Sequence, residues 1–235
     1  MLNVVQIQTV AIILILSYFI GNFQTAVLFS KRFLRDDVRK HGSGNPGASN
    51  MTRVFGTKWG VLTFCGDAFK CLLGVALGAY LGKWWGIAIQ KSAMDWALGA
   101  YIGGLGVVLG HCWPVLYRFR GGKGVACFFA FMFLSFPLGG GITAVFALVV
   151  FLCCHMMSLV SMTSSCLFTI LCIVNHNQRP WLWLFALLCT VVIVVRHKDN
   201  IKRIIAGTEG TINYCGRHGY GYHHQTYGDG QGDQR

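Results

Sequence analysis

The sequence predicts an all-α, polytopic membrane protein: a bundle of seven transmembrane helices, N-terminus outside and C-terminus cytoplasmic. Three observations carry this expectation. Of 235 residues, 54% are hydrophobic and only 12% charged, against about 25% charged in an ordinary soluble domain. The apolar residues fall in uninterrupted blocks, long enough for the roughly 20 residues that a bilayer crossing needs. The basic residues, which bring the net charge to +12, stay outside those blocks with the exception of Lys70.

The first block runs from about Val4 to Ser30, the second from Gly60 to Leu81, the third from Met94 to Leu116. The stretch Gly124–Met157 is too long for one crossing. Pro137 followed by Gly139, Gly140 and Gly141 breaks it into a short fourth span and a full fifth. Spans six and seven are Ser158–Val174 and Pro180–Val195, the last bounded by Trp181 and Trp183 at an interface position.

Charge parity supports the split. Residues 31–58 carry Lys31, Arg32, Arg35, Arg39, Lys40, Arg53 and Lys58; residues 117–123 carry Arg118, Arg120 and Lys123; Arg196, Lys198, Lys202 and Arg203 follow the last span. Seven crossings put all three segments on one face, which the positive-inside rule makes cytoplasmic. The other face keeps Lys83, Lys91 and Arg179. Met1–Gln6 has no Lys or Arg, which argues against a cleaved signal peptide.

The chain divides into a membrane domain, 1–210, and a flexible cytoplasmic tail, 211–235, rich in Gly, His and Tyr. Of ten cysteines, Cys65, Cys71, Cys127, Cys153, Cys154, Cys166, Cys172 and Cys189 lie in or beside apolar blocks, with no C-x-x-C pair. They are expected to be small buried apolar side chains, neither disulfides nor metal ligands. Cys215, His218, His223 and His224 in the tail match no firm metal template.

Polar chemistry concentrates in the basic loops. His41-Gly42-Ser43-Gly44-Asn45-Pro46-Gly47-Ala48-Ser49-Asn50 lets the backbone turn tightly and bring N–H groups close to an anion. It formally matches G-x-G-x-x-G. A membrane span and a basic stretch precede it, where a dinucleotide fold needs a β-strand, so that reading is rejected. The second loop holds Gly110-His111-Cys112-Trp113-Pro114 and Phe119-Arg120-Gly121-Gly122-Lys123-Gly124. An ammonium between glycines at a helix start makes an anion site. No Ser or Thr follows the Lys, so it is not a Walker A loop.

The third segment is Arg196-His197-Lys198-Asp199-Asn200-Ile201-Lys202-Arg203, then Gly207-Thr208-Glu209. His197 and Asn200 share a helical face there. Ser158 and Ser161 share another, on the same side of the membrane. Asp67 and Lys70 inside span two are placed for a local ion pair. No metal motif, Ser-His-Asp order or H-x-x-x-x-D appears, and no nucleic-acid motif. The inventory suits two phosphate-bearing substrates meeting without metal, cofactor or enzyme nucleophile. An anion transporter is the rival class; it needs polar residues along a path through the bilayer, for which only Asp67 and Lys70 offer themselves.

GSGNPGASN (42–50), GHCWP with FRGGKGVA (110–126) and HKDNIKRIIAGTE (197–209) closely resemble, in order and spacing, the three signature motifs of the PlsY family. The resemblance covers about residues 1–210. It implies a bacterial inner-membrane, multi-pass acyltransferase with a cytoplasmic active site. Such an enzyme moves a fatty acyl group from acyl phosphate to the 1-hydroxyl of sn-glycerol 3-phosphate, giving lysophosphatidate and phosphate. It also implies coupling to the enzyme that makes acyl phosphate.

Carried onto this sequence, His197, Lys123, Asn200 and His111 become the expected catalytic residues. Ser43, Gly44, Asn45, Gly47, Arg53, Gly121, Gly122, Ser158 and Ser161 become the expected substrate-binding residues. Departures are modest: Ser49 stands where Thr is common, Arg120 where Lys is, Lys198 where Arg is. Lys123 and Arg53, with Ser158 or Ser161, are expected on the phosphate of glycerol 3-phosphate. The Gly42–Gly47 loop and Asn200 are expected around acyl phosphate. His197, His111 or the acyl phosphate itself takes the hydroxyl proton.

Overall fold

The computed structural model describes residues 4–84, 95–175 and 180–211, and every regular element among them is helical. The order is α1 (Val4–Gly21), α2 (Thr25–Phe33), α3 (Ala48–Phe55), α4 (Thr57–Trp84), α5 (Asp95–Cys112), α6 (Val125–Ser135), α7 (Pro137–Cys154), α8 (Met157–Asn175), α9 (Pro180–Arg196) and α10 (Lys198–Ile205). Lys91, Arg179 and the tail beyond Thr211, with its His and Cys residues, lie outside the described residues.

Five stretches are long and apolar enough to cross a membrane: Ile7–Phe33, Thr57–Lys83, Ala97–Tyr117, Pro137–Cys154 and Met157–Asn175. Val125–Ser135 and Trp183–Arg196 are shorter apolar helices. The third stretch is the axis of the bundle, 83% buried, whereas Pro137–Cys154 is 17% buried and faces outward. α5 packs against α1, α4, α6 and α9. Close approach to α4 depends on glycine: a Cβ on Gly78 would sit 2.1 Å from the Gly99 carbonyl oxygen, and one on Gly99 would meet Gly78 equally closely. Small residues are the usual means of tight helix contact in a membrane, where there is no hydrophobic force between helices. Around α5, Tyr101 meets Phe131 edge to face, and Phe168 meets both Phe131 and Phe128 in the same way.

Three local features depart from the sequence expectation. The first apolar block is not one rod. It breaks at residues 22–24, where Phe23 faces outward but the polar side chains are enclosed, Asn22 and Gln24 at 0% exposure and Thr25 at 2%. Three of its side-chain polar atoms find partners beyond α1 and α2. Asn22 Oδ1 accepts from Leu116 N–H (3.3 Å), Gln24 Nε2 donates to the His111 carbonyl (3.1 Å), and Thr25 Oγ1 donates to Asp67 (3.0 Å). Part of the first basic loop folds as α3, begun by extended Gly47. The split after α6 falls at Phe136–Pro137, with Pro137 in the first turn of α7, where its missing N–H costs nothing. Gly139, Gly140 and Gly141 continue inside α7 and break nothing.

Cys71, Cys127, Cys172 and Cys189 are fully buried, as expected of small apolar side chains, but Cys65, Cys153 and Cys166 are exposed on the outer surface. All nine described cysteines are free.

Candidate active site

The first-turn residues of five helices, Thr57 and Gly60 of α4 among them, line one cavity of about 480 Å³. Ala48 and Ser49 open α3, Val125 and Ala126 open α6, Met157 and Ser158 open α8, and Asn200 stands in the first turn of α10 behind its cap His197. Each helix start offers unpaired backbone N–H groups and a partial positive charge. Four of the five starts, α3, α4, α6 and α8, carry no acidic residue. Arg53, Lys123 and Arg203 add cationic side chains to the same wall. The arrangement suits a bound anion or two.

The Gly42–Gly47 loop is built by Asn50. Its Nδ2 donates to the carbonyls of Val38 (3.2 Å) and His41 (3.1 Å), and its Oδ1 accepts the Ser43 N–H (2.9 Å). One buried amide thereby holds both ends of the loop. Ser43, Asn45 and Gly47 reach the cavity. Gly44, whose N–H bonds the His41 carbonyl (3.0 Å), shapes the turn and is not among the lining residues.

Gly121 and Gly122 also stay out of the wall and serve beneath it. Arg196 donates to both carbonyls, Nη2 to Gly121 (2.7 Å) and Nε to Gly122 (3.1 Å), while its guanidinium lies over Trp113. A Cβ on Gly122 would come within 2.1 Å of His111 Nε2, so only glycine lets the loop lie on the imidazole. Lys123 follows and reaches the cavity, where its Nζ donates to Asn200 Oδ1. Burial, with Arg203, Arg196 and Arg53 nearby, pushes its ammonium down to about 8 against the pull of Glu209.

His197 is 2% exposed. Its Nδ1 lies 2.8 Å from the Ile193 carbonyl, an acceptor only, so Nδ1 carries the proton and Nε2 the lone pair. Burial and the Lys123 charge push the ring down to about 4, which keeps it neutral. His111 is the opposite tautomer, since its Nδ1 faces the Lys70 ammonium at 2.8 Å.

Ser158 and Ser161 both line the cavity. Ser161 Oγ donates to the Met157 carbonyl one turn back (2.6 Å), whereas Ser158 Oγ donates to Glu209 (2.7 Å). The expected Asp67–Lys70 pair is formed at 2.8 Å.

Glu209 is the residue that sequence reasoning passed over. Its carboxylate gathers Ser158 Oγ, Asn200 Nδ2 (2.6 Å) and Arg203 Nε (2.7 Å). Burial alone would raise this carboxyl, but the hydrogen bonds from Asn200, Ser158 and Arg203 hold it below the ordinary glutamate value. It thereby ties α8 and α10 together across the cavity mouth. The available signal was its standing, with Asp199, as one of only two acids in an otherwise basic, polar motif.

Comparison with known proteins agrees with this geometry. A profile of the family described as glycerol-3-phosphate acyltransferase matches residues 11–207. Glycerol-3-phosphate acyltransferases of Thermoanaerobacter sp. and Alkaliphilus metalliredigens are 35% and 36% identical, over 84% and 86% of this chain and 93% and 95% of their own. That of Neisseria meningitidis is 35% identical over 83% of this chain and 94% of its own. Crystal structures of PlsY, an integral membrane glycerol 3-phosphate acyltransferase, superpose with TM-scores of 0.75 in the glycerol 3-phosphate form and 0.73 in the lysophosphatidic acid form. Both are 30% identical and cover 87% of this chain and 96% or 95% of theirs.

Proposed function

Because the chain belongs to the glycerol-3-phosphate acyltransferase family of multi-pass membrane enzymes, we propose that its acyl donor is acyl phosphate and its acceptor position the 1-hydroxyl of sn-glycerol 3-phosphate. The products are then lysophosphatidate and inorganic phosphate, in bacterial phospholipid synthesis. The observation that carries this reading is the cavity wall of five helix starts with Arg53, Lys123 and Arg203. Two substrates that are both phosphate anions repel each other, and a site for the pair needs this concentration of positive potential.

Lys123 and Arg53, with Ser158 or Ser161, bind the phosphate of glycerol 3-phosphate. The Asn50-built loop from Gly42 to Gly47 and Asn200 cradle acyl phosphate. The acceptor oxygen attacks the acyl carbon, the new C–O ester bond forms, and the bond from that carbon to the phosphate oxygen breaks. Phosphate leaves as an already good leaving group, so alignment and charge stabilisation supply most of the rate. The hydroxyl proton ends on the departing phosphate, directly or through Nε2 of His197. His111 does not serve as the base: its Nδ1 lone pair faces Lys70.

The crossings number seven in this reading, the five long stretches plus α6 and α9. All three basic segments and the cavity then face the cytoplasm from the bacterial inner membrane. Coupling to the enzyme that supplies acyl phosphate, a lipid-soluble and easily hydrolysed donor, follows from that chemistry.

The test is purified protein in detergent or lipid, given acyl phosphate and labelled glycerol 3-phosphate. Lysophosphatidate formed by the wild type and abolished in a folded Lys123→Ala variant is the expected result. Product only with acyl-CoA or acyl carrier protein would overturn the donor. His197→Ala with near-normal turnover would assign the proton to the phosphate.

A further inference from the structure

Lys70 lies inside α4 at 3% exposure and is used by none of the chemistry above. An ammonium has three N–H groups and no acceptor. Each here meets one partner: the Phe23 carbonyl at the α1–α2 break (2.6 Å), Asp67 Oδ1 (2.8 Å) and His111 Nδ1 (2.8 Å). Asp67, 1% exposed, also accepts from Thr25. With Lys70 donating to Nδ1, the ring proton of His111 must sit on Nε2. That edge of the ring is the one under Gly122. His111 and Asp67 both reach the cavity floor.

A purely structural ion pair accounts for the Asp67 contact and for nothing else. Charges at this depth are costly, and neutral side chains would join the same helices at less cost. The third contact, to an imidazole that supports the Lys123 loop, is what an ion pair leaves unexplained.

We propose that Lys70, anchored by Asp67 and the Phe23 carbonyl, is a positioning residue for the transfer reaction. It fixes His111 as a neutral imidazole with Nε2–H turned to the Gly121–Lys123 loop, and so sets where Lys123 meets the substrate phosphate. This rests on Lys123 being the phosphate-binding cation.

The experiment begins with the wild-type enzyme carrying ¹⁵N-labelled histidine in lipid, the His111 signals assigned by their loss in His111→Gln. The expected spectrum has Nδ1 unprotonated and Nε2 protonated. A doubly protonated ring, or Nδ1–H, would overturn the proposal without any variant. The second arm is Asp67→Asn/Lys70→Met, which removes the donor without stranding a lone buried charge. Loss of the single tautomer and a rise of about tenfold in KM for glycerol 3-phosphate, with kcat changed far less, are expected. Unchanged KM in that variant would overturn the proposal. Should the pair fail to fold, Lys70→Arg, which keeps a donor, is read instead: wild-type KM with the wild-type tautomer supports the proposal, and a raised KM with that tautomer intact overturns it. A wild-type enzyme inactive with acyl phosphate would defeat the functional reading while leaving the tautomer readout to stand or fall by itself.

Discussion

Lys123 and His197 face one cavity with their proton affinities both lowered, and the two shifts frame a working pH range. Burial pushes Lys123 to about 8 and His197 to about 4. Anion binding needs the ammonium, so glycerol 3-phosphate affinity is expected to fall as pH rises through about 8. Lys123→Arg is expected to shift that limb upward, because guanidinium does not titrate there. A base needs the neutral ring, so a His197-dependent rate is expected to fall only as pH drops through about 4. A pH profile of kcat/KM in wild type and Lys123→Arg checks both limbs. Asn50→Ala removes three loop hydrogen bonds from a buried amide. It is expected to cost about 1–3 kcal/mol of local order, read as raised KM for acyl phosphate at intact thermal stability of the bundle. The polar residues of the site were legible because a polar side chain is conspicuous in so apolar a chain. The part of Glu209 was not, since its meaning depends on Ser158, 51 residues away along the chain. His111 was legible as a site residue but not as a donor, because its tautomer is set by Lys70 on another helix.

Helices were readable wherever length and hydropathy decided them, and misread wherever a partner did. Pro137 marks the α6–α7 junction as its covalent geometry requires, while the three glycines behind it stay helical despite their weak propensity, as an apolar segment whose backbone groups must pair internally demands. The break between α1 and α2 left no such mark: Asn22, Gln24 and Thr25 sit in an apolar run, and only α4, α5 and the segment after α5 make the interruption favourable. α3 was hidden inside a glycine-rich loop. At this scale the α4–α5 contact gives the sharpest expectation. Gly99→Leu forces a side chain into the Gly78 backbone, and the helices must part. Overpacking of this kind costs about 1–3 kcal/mol or more, so the melting temperature in detergent is expected to drop. Gly141→Ala, with open space around it, is expected to leave it unchanged.

Across the whole molecule, α5 is the shaft around which the other helices are set, and the cavity opens where several helices begin together. Charge parity in the sequence led to the expectation of three basic segments on one face, and each of those segments supplies a cation, Arg53, Lys123 or Arg203, to the cavity. Sidedness is open to direct measurement: Lys40→Cys and Lys198→Cys are expected to react with a membrane-impermeant thiol reagent from the face opposite to Lys83→Cys, in a background lacking the exposed native cysteines. The polar break in the first apolar stretch carries a consequence for biogenesis. The Phe23 carbonyl, Asn22 Oδ1, Gln24 Nε2 and Thr25 Oγ1 take their partners from segments synthesised later. A nascent chain halted before α4 has nothing to offer them, and lipid would be a poor substitute. Fragments ending near residue 56 are therefore expected to be held by the insertion machinery or degraded. Fragments extending through α5 are expected to leave it and resist protease.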